Sequence, residues 1–248
     1  MYDANELLDT IDTHTVPILV LFGLAMLCQT VAMVSAVRVS AREQVISIPL
    51  FCTFFWFAHD VGYVVRFHEW FVTYDHWFLK CFWAGLFSAM LLELVFFAQA
   101  IRYGRKEFMP QATERQFALV VAGGAVAWIV GWEFFKLLAA DPLYQAGAAL
   151  TLFALPLAGT AQMLRRRSVA GQTVAVWGGF TAMVPLWWAV TVYYYGDGFR
   201  SWQYVSLGVV TFLMLAAVTA YVARARHADR TFLRSSVHKT LYVEPVEC

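Results

Sequence analysis

Seven stretches of this chain are apolar over about 20 residues each, the length an α-helix needs to cross roughly 30 Å of hydrocarbon. They lie near Val16–Val37, Val45–Phe67, Trp77–Ile101, Gln116–Leu138, Leu143–Leu164, Gln172–Tyr195 and Tyr204–Ala223. Such runs leave little choice of fold, because a spanning segment must satisfy its backbone internally. Only 14% of the 248 residues are charged, against about a quarter in soluble domains. The chain reads as an all-α integral membrane bundle of seven transmembrane helices.

The charges flanking the runs give an independent count. Arg38 and Arg42, then Arg102, Arg105, Lys106 and Arg115, then Arg165, Arg166 and Arg167, and finally Arg224, Arg226, Arg230, Arg234 and Lys239 fall on one side. The other side and its helix ends hold Arg66, Lys80, Lys136 and Arg200. By the positive-inside rule the N-terminus is non-cytoplasmic and the tail cytoplasmic, which requires an odd number of spans. Asp3, Glu6, Asp9 and Asp12 precede the first run without a basic residue, so it is not expected to be a cleaved signal peptide.

Residues 1–248 are expected to form a single transmembrane domain, with a short segment 1–15 before it and a cytoplasmic tail 224–248. The place of such a chain is the cell membrane in a bacterium or the endoplasmic reticulum in a fungus. A net charge of +1, with the basic residues spent on topology, leaves no footprint for nucleic acid. Cys28, Cys52, Cys81 and Cys248 show no paired spacing and read as free thiols. No metal is expected, because no span carries a His pair at helical ligand spacing. Ile48-Pro49-Leu50 and Val184-Pro185-Leu186 look alike, but their registers differ, so an internal repeat has weak support. Gly123-Gly124 and Gly178-Gly179 permit close helix packing within or between chains, and the oligomeric state is not readable from them.

Three carboxylates interrupt the apolar runs: Asp60, Glu93 and Glu133. An ionisable side chain at membrane depth is costly and marks function by default. Asp60 shares a helical stripe with Thr53, Trp56 and Tyr63 through spacings of three, four and three. His59 lies about 100° round the helix, where a hydrogen bond to a neighbouring helix is its simplest explanation. Glu133 has Lys136 three residues on as a ready partner. Glu93 has no basic residue at three or four positions, so it must be paired across helices, protonated or wet.

Aromatic residues make up 17% of the chain. Trp70, Tyr74, Trp77, Tyr144, Tyr194, Tyr195 and Trp202 fall at the non-cytoplasmic ends of spans, as an interfacial belt would. Trp56, Trp83, Trp128, Trp132, Trp187 and Trp188 lie deeper and together point to a lined cavity. Burial disfavours the charged form of a carboxyl group. A carboxyl that keeps its proton in an aromatic chamber is a Brønsted acid facing an apolar substrate, and the ring faces can steady a carbocation. That is the chemistry of polyene cyclisation.

The N-terminus-outside, seven-span layout and the segment Ile48-Pro49-Leu50-Phe51-Cys52-Thr53-Phe54-Phe55-Trp56 resemble the small integral-membrane terpene cyclases of meroterpenoid and indole-diterpene pathways. That family has a Pro-Leu-Cys-Cys-Asn-x-x-Trp-Glu stretch, whose Glu is a proposed proton donor to a terminal epoxide. Here Phe57 follows Trp56 and the nearest acid is Asp60, one turn on. The family's Asp in the last span has no counterpart, so Glu93 or Glu133 would replace it. The resemblance implies acid-initiated cyclisation of an isoprenoid or meroterpenoid substrate, without metal or other cofactor. Asp60, Glu93, Tyr63 and Glu133 would be the catalytic candidates. Thr53, Trp56, Trp83, Trp128, Trp132, Trp187 and Trp188 would line the substrate site.

The alternative is a seven-helix transporter that clasps a small solute with the same aromatic residues and couples it to a proton through Asp60 or Glu93. A retinal photoreceptor is excluded by the lack of Lys in the last span. A structural or assembly role is disfavoured by the intramembrane acids.

Overall fold

The structure, a computed structural model, describes residues 2–139 and 141–241. Cys248 and the end of the expected tail lie outside the described residues. Ten α-helices follow in order: α1 Ala4–Thr13, α2 Thr15–Glu43, α3 Leu50–Val64, α4 Trp77–Gln99, α5 Arg105–Phe108, α6 Glu114–Ala139, α7 Gln145–Arg166, α8 Val174–Tyr194, α9 Asp197–Arg200 and α10 Trp202–Leu241. Short π-helical turns, Glu69–Thr73 and Ala100–Gly104, precede and follow α4. No strand occurs among the described residues. Cys28, Cys52 and Cys81 are free.

Six of the helical segments are long and apolar enough to cross a membrane. The exception is α3, expected from sequence to be a full span. Its 15 residues reach only about 22 Å at 1.5 Å per residue. Pro49 opens it, since its ring supplies no N–H for a preceding turn, and its carbonyl accepts from the Thr53 amide at 3.0 Å. At the other end the chain leaves the helix after Val64 and turns into the π-helical segment. Neighbours explain how so short and polar a helix is tolerated. It packs on α4, α6 and α7, so Thr53, Trp56, His59, Asp60, Gly62 and Tyr63 are all buried and protein stands where lipid would be.

The most extensive packing joins α2 to α8, and α8 in turn to α10. Small residues make it possible: Gly179 of α8 sits directly against Cys28 and Ala32 of α2, the close approach that membrane helices use in place of hydrophobic driving force. Beyond the expected last span, α10 continues to Leu241, so the first part of the tail is helix.

The N-terminal segment forms an amphipathic helix. Asp3 caps it by accepting from the amides of Asn5 at 2.9 Å and Glu6 at 3.0 Å, and Ala4, Leu7, Leu8 and Ile11 form its buried face. Tyr2 fastens this helix to the loop before α7. Its hydroxyl donates to Asp141 Oδ1 at 2.5 Å and accepts from the Leu143 amide at 3.0 Å, while its ring packs on Phe199. Burial and the Asp141 carboxylate push the Tyr2 phenol well above its ordinary value, so it remains a donor at physiological pH. Tyr2→Phe is expected to lower thermal stability by about 1–3 kcal/mol, measured by thermal unfolding in detergent. An unchanged transition would mean that the clasp contributes nothing.

The packing corrects part of the expected belt. Trp70, Tyr144 and Tyr195 are buried at 0%, 1% and 2% exposure, whereas Trp202 is 74% exposed. Trp70 stacks on Tyr63 with ring centroids 4.3 Å apart and donates to the Tyr63 carbonyl at 2.7 Å. These rings are core, not interface.

Candidate functional site

Asp60 and Glu93, on α3 and α4, face one cavity between α2, α3, α4, α7 and α8. Both are buried, at 5% and 1% exposure. Trp56, Phe82, Phe180 and Trp187 supply its aromatic walls, with Met26, Leu86, Leu152 and Met183 filling the gaps and Gln29 and Thr151 at its edge. The volume is about 40 Å³, room for water but far below the roughly 300–1,000 Å³ of small-molecule pockets.

His59 stands beside Asp60. Its Nδ1 is 2.7 Å from Asp60 Oδ1 and its Nε2 is 3.3 Å from the Tyr144 carbonyl. A carbonyl only accepts, so Nε2 must carry a proton. The short contact on Nδ1 then needs a second one, held on Asp60 as O–H or on Nδ1 as N–H. Either way one transferable proton lies between Oδ1 and Nδ1, buried and facing the cavity. The Trp132 ring, edge-on at 5.3 Å, and the Tyr144 ring at 5.6 Å hold the imidazole in place.

Glu93 is the opposite case. Its Oε2 is buried without a hydrogen-bond partner. A buried polar atom left unpaired costs about 1–3 kcal/mol, so native proteins rarely keep one without a reason. The cavity thus sets a held proton against a bare carboxyl group, inside aromatic walls.

Of the other predicted residues, Trp56 and Trp187 share the cavity and the rest lie elsewhere. Tyr63 donates to the Leu79 carbonyl at 3.2 Å and Thr53 to the Pro49 carbonyl at 3.3 Å, so both hydroxyls of the stripe serve the backbone. Glu133 is held by Arg66, through Nη1–Oε1 at 3.0 Å and Nη2–Oε2 at 2.5 Å. Lys136 instead lies over the Tyr144 ring, 3.6 Å from its centroid, correcting the expected i,i+3 pair. Trp56 and Trp187 line the cavity, and the Trp56 indole donates to the Thr151 carbonyl at 3.1 Å. Trp128 and Trp132 border a separate groove. Trp83 donates to the Val64 carbonyl and packs among Phe67, Phe71 and Phe87. Trp188 donates to the Tyr204 carbonyl and stacks on its ring.

Sequence reasoning missed His59 as part of the site. The signal was present in the adjacency of His59 and Asp60, but the partner that fixes its tautomer is a backbone carbonyl 85 residues away. Gln29 was missed as well, a polar residue in a mostly apolar span.

No family model matches the chain. No curated protein and no solved structure with significant similarity was found either. The functional reading therefore rests on the geometry.

Proposed function

We propose that the protein is an integral-membrane cyclase that protonates an isoprenoid chain and closes rings through carbocations. In this reading it is a single domain of seven membrane helices, with α3 as the sheltered seventh, the N-terminus non-cytoplasmic and the C-terminus cytoplasmic. The observation that carries it is the 2.7 Å contact between Asp60 Oδ1 and His59 Nδ1, at an aromatic-lined cavity that the unpartnered Glu93 Oε2 also faces. The resemblance of the Ile48–Trp56 segment to membrane terpene cyclases points the same way.

The chemistry balances without a co-reactant. The Asp60–His59 pair gives its proton to a terminal epoxide oxygen or alkene carbon, and the resulting cation draws on the π electrons of the next double bonds to form the ring C–C bonds. Trp56, Phe82, Phe180 and Trp187 shield the cation from water and steady it by about 0.5–2 kcal/mol per well-placed ring. Glu93 relays the proton released by the last cation, accepting it on one oxygen as the proton of the other passes on. The product is an isomer of the substrate, and the proton returns from Glu93 to the Asp60–His59 pair. Binding requires the small cavity to widen, which the flexible Met26 and Met183 side chains at its wall accommodate readily.

Asp60→Asn tests this directly. The Asn amide can still donate to His59 Nδ1, so insertion and folding are retained while the acid is removed. Conversion of prenylated or epoxidised substrates is expected to fall by about 10²–10⁴, the usual contribution of a general acid. Unchanged conversion would remove Asp60 from the mechanism.

A proton-coupled carrier is the second reading, favoured by one observation. Asp60, His59 and Glu93 face one cavity between five helices, the arrangement that a proton-coupled site requires.

A further inference from the structure

Although α6 and α7 are consecutive, α6 packs on α3 and on the π-helical turn after α4 rather than along α7. The fissure left between them is a groove of about 450 Å³. Phe55 of α3 forms its floor, Trp128, Trp132 and Phe135 of α6 one wall and Leu150 of α7 the other. Ala127 and Gly131, four residues apart on the same face of α6, leave the space open.

Three observations identify what it holds. The groove faces the bilayer, since Val126, Val130 and Phe134 beside it on α6 are 62%, 65% and 63% exposed within a helix apolar enough to span. Its lining carries no charged side chain, and apart from the indoles nothing that hydrogen-bonds, so it selects hydrocarbon. It is also adjacent to the acid pair, separated from it by Trp132, which borders the groove and packs edge-on against His59 at 5.3 Å. A cavity of about 40 Å³ beside a groove of about 450 Å³ divides the work: the reacting end of the substrate enters the one, and the rest of its chain lies in the other.

We propose that this groove binds the isoprenoid chain of a membrane-dissolved substrate, with Trp132 as the movable partition between the chain and the Asp60–His59 pair. This rests on the cyclase reading for the identity of the chain. A saturated lipid tail would fit the volume, but it offers the neighbouring acid nothing to protonate.

The test exploits Gly131, where an added Cβ would meet nothing within 4 Å. Gly131→Phe therefore fills the groove without disturbing the packing, and Ala127→Trp, at an exposed position, is a second plug. The full-length protein in nanodiscs is photolabelled with a farnesyl chain carrying a diazirine, and the labelled peptides are mapped by mass spectrometry. Label is expected on residues 127–135 and to be displaced by excess farnesol but not by saturated phosphatidylcholine. Each plug should reduce it by about tenfold, equivalent to roughly 1.4 kcal/mol of binding, with the melting temperature unchanged. Label spread evenly over the lipid-facing helices, undiminished by both plugs, or displaced equally by the saturated lipid would overturn the proposal. Specific labelling by a protein that converts no prenyl substrate would keep the chain site and remove the cyclase.

Discussion

Glu93→Met is expected to stabilise the protein and abolish its activity in the same step. The carboxyl oxygen Oε2 is buried without a partner, and replacing it by an apolar group of similar length removes a penalty of about 1–3 kcal/mol. The melting temperature in detergent should therefore rise. Conversion of a prenylated substrate should fall by about 10²–10⁴, because the group that accepts the final proton is gone. The two readouts separate the possible roles of Glu93. A structural carboxylate, held by an interaction that matters to the fold, would make the variant less stable, and a spectator would leave turnover intact. Stability kept below its attainable value at a reacting group is a common trade in enzymes.

Gly179→Leu should have the largest effect on folding. A Cβ at this position would lie 2.8 Å from the Cys28 carbonyl oxygen and 2.9 Å from Ala32 Cβ on α2. The backbone cannot yield as a flexible side chain can, and the three further carbons of Leu have nowhere to go. The cost is expected at or above the upper end of about 1–3 kcal/mol for overpacking, seen as lost yield of monodisperse protein and a lower melting temperature. Gly123→Leu is the control, since a Cβ there meets nothing within 4 Å, and it should be tolerated. Equal stability of the two variants would show that the contact between α2 and α8 does not hold the bundle together.

These glycines show where the sequence was informative. Both Gly-Gly pairs read as candidate packing patches, yet Gly179 is pressed against α2 while Gly123 is open, because only the position of the neighbouring helix decides between them. Length and hydropathy located well the six helices that, among the described residues, are long and apolar enough to span: the run near Val16–Val37 lies inside α2, and that near Gln172–Tyr195 nearly coincides with α8. The same logic overextended α3, whose ends are set by Pro49 and by the turn after Val64 rather than by apolar length.

At the site, the Asp60 stripe was legible because it is a property of one helix. The meeting of Asp60 with Glu93 was not, because it depends on how α3 and α4 are rotated against each other. Glu133 shows the limit of local reasoning, for Lys136 is the near neighbour in sequence but Arg66, 67 residues away, is the partner. Tyr144 was read as an interfacial anchor. It is instead a buried hub whose backbone carbonyl fixes His59 and whose hydroxyl meets Gly62 at 3.0 Å. Nothing in the residue type announces such a role.

A cyclase and a carrier differ in whether the buried acids do chemistry on a prenyl chain or couple its movement to a proton. Purified full-length protein in detergent, with no sealed compartment and no gradient, is incubated with epoxidised and plain prenylated aromatic substrates and the products are analysed by mass spectrometry and NMR. The expected result is a product of unchanged mass with fewer double bonds and new rings, formed by the wild-type protein and lost in Asp60→Asn and Glu93→Met. Recovery of chemically intact substrate, together with its accumulation in sealed vesicles driven by a proton gradient, would contradict it.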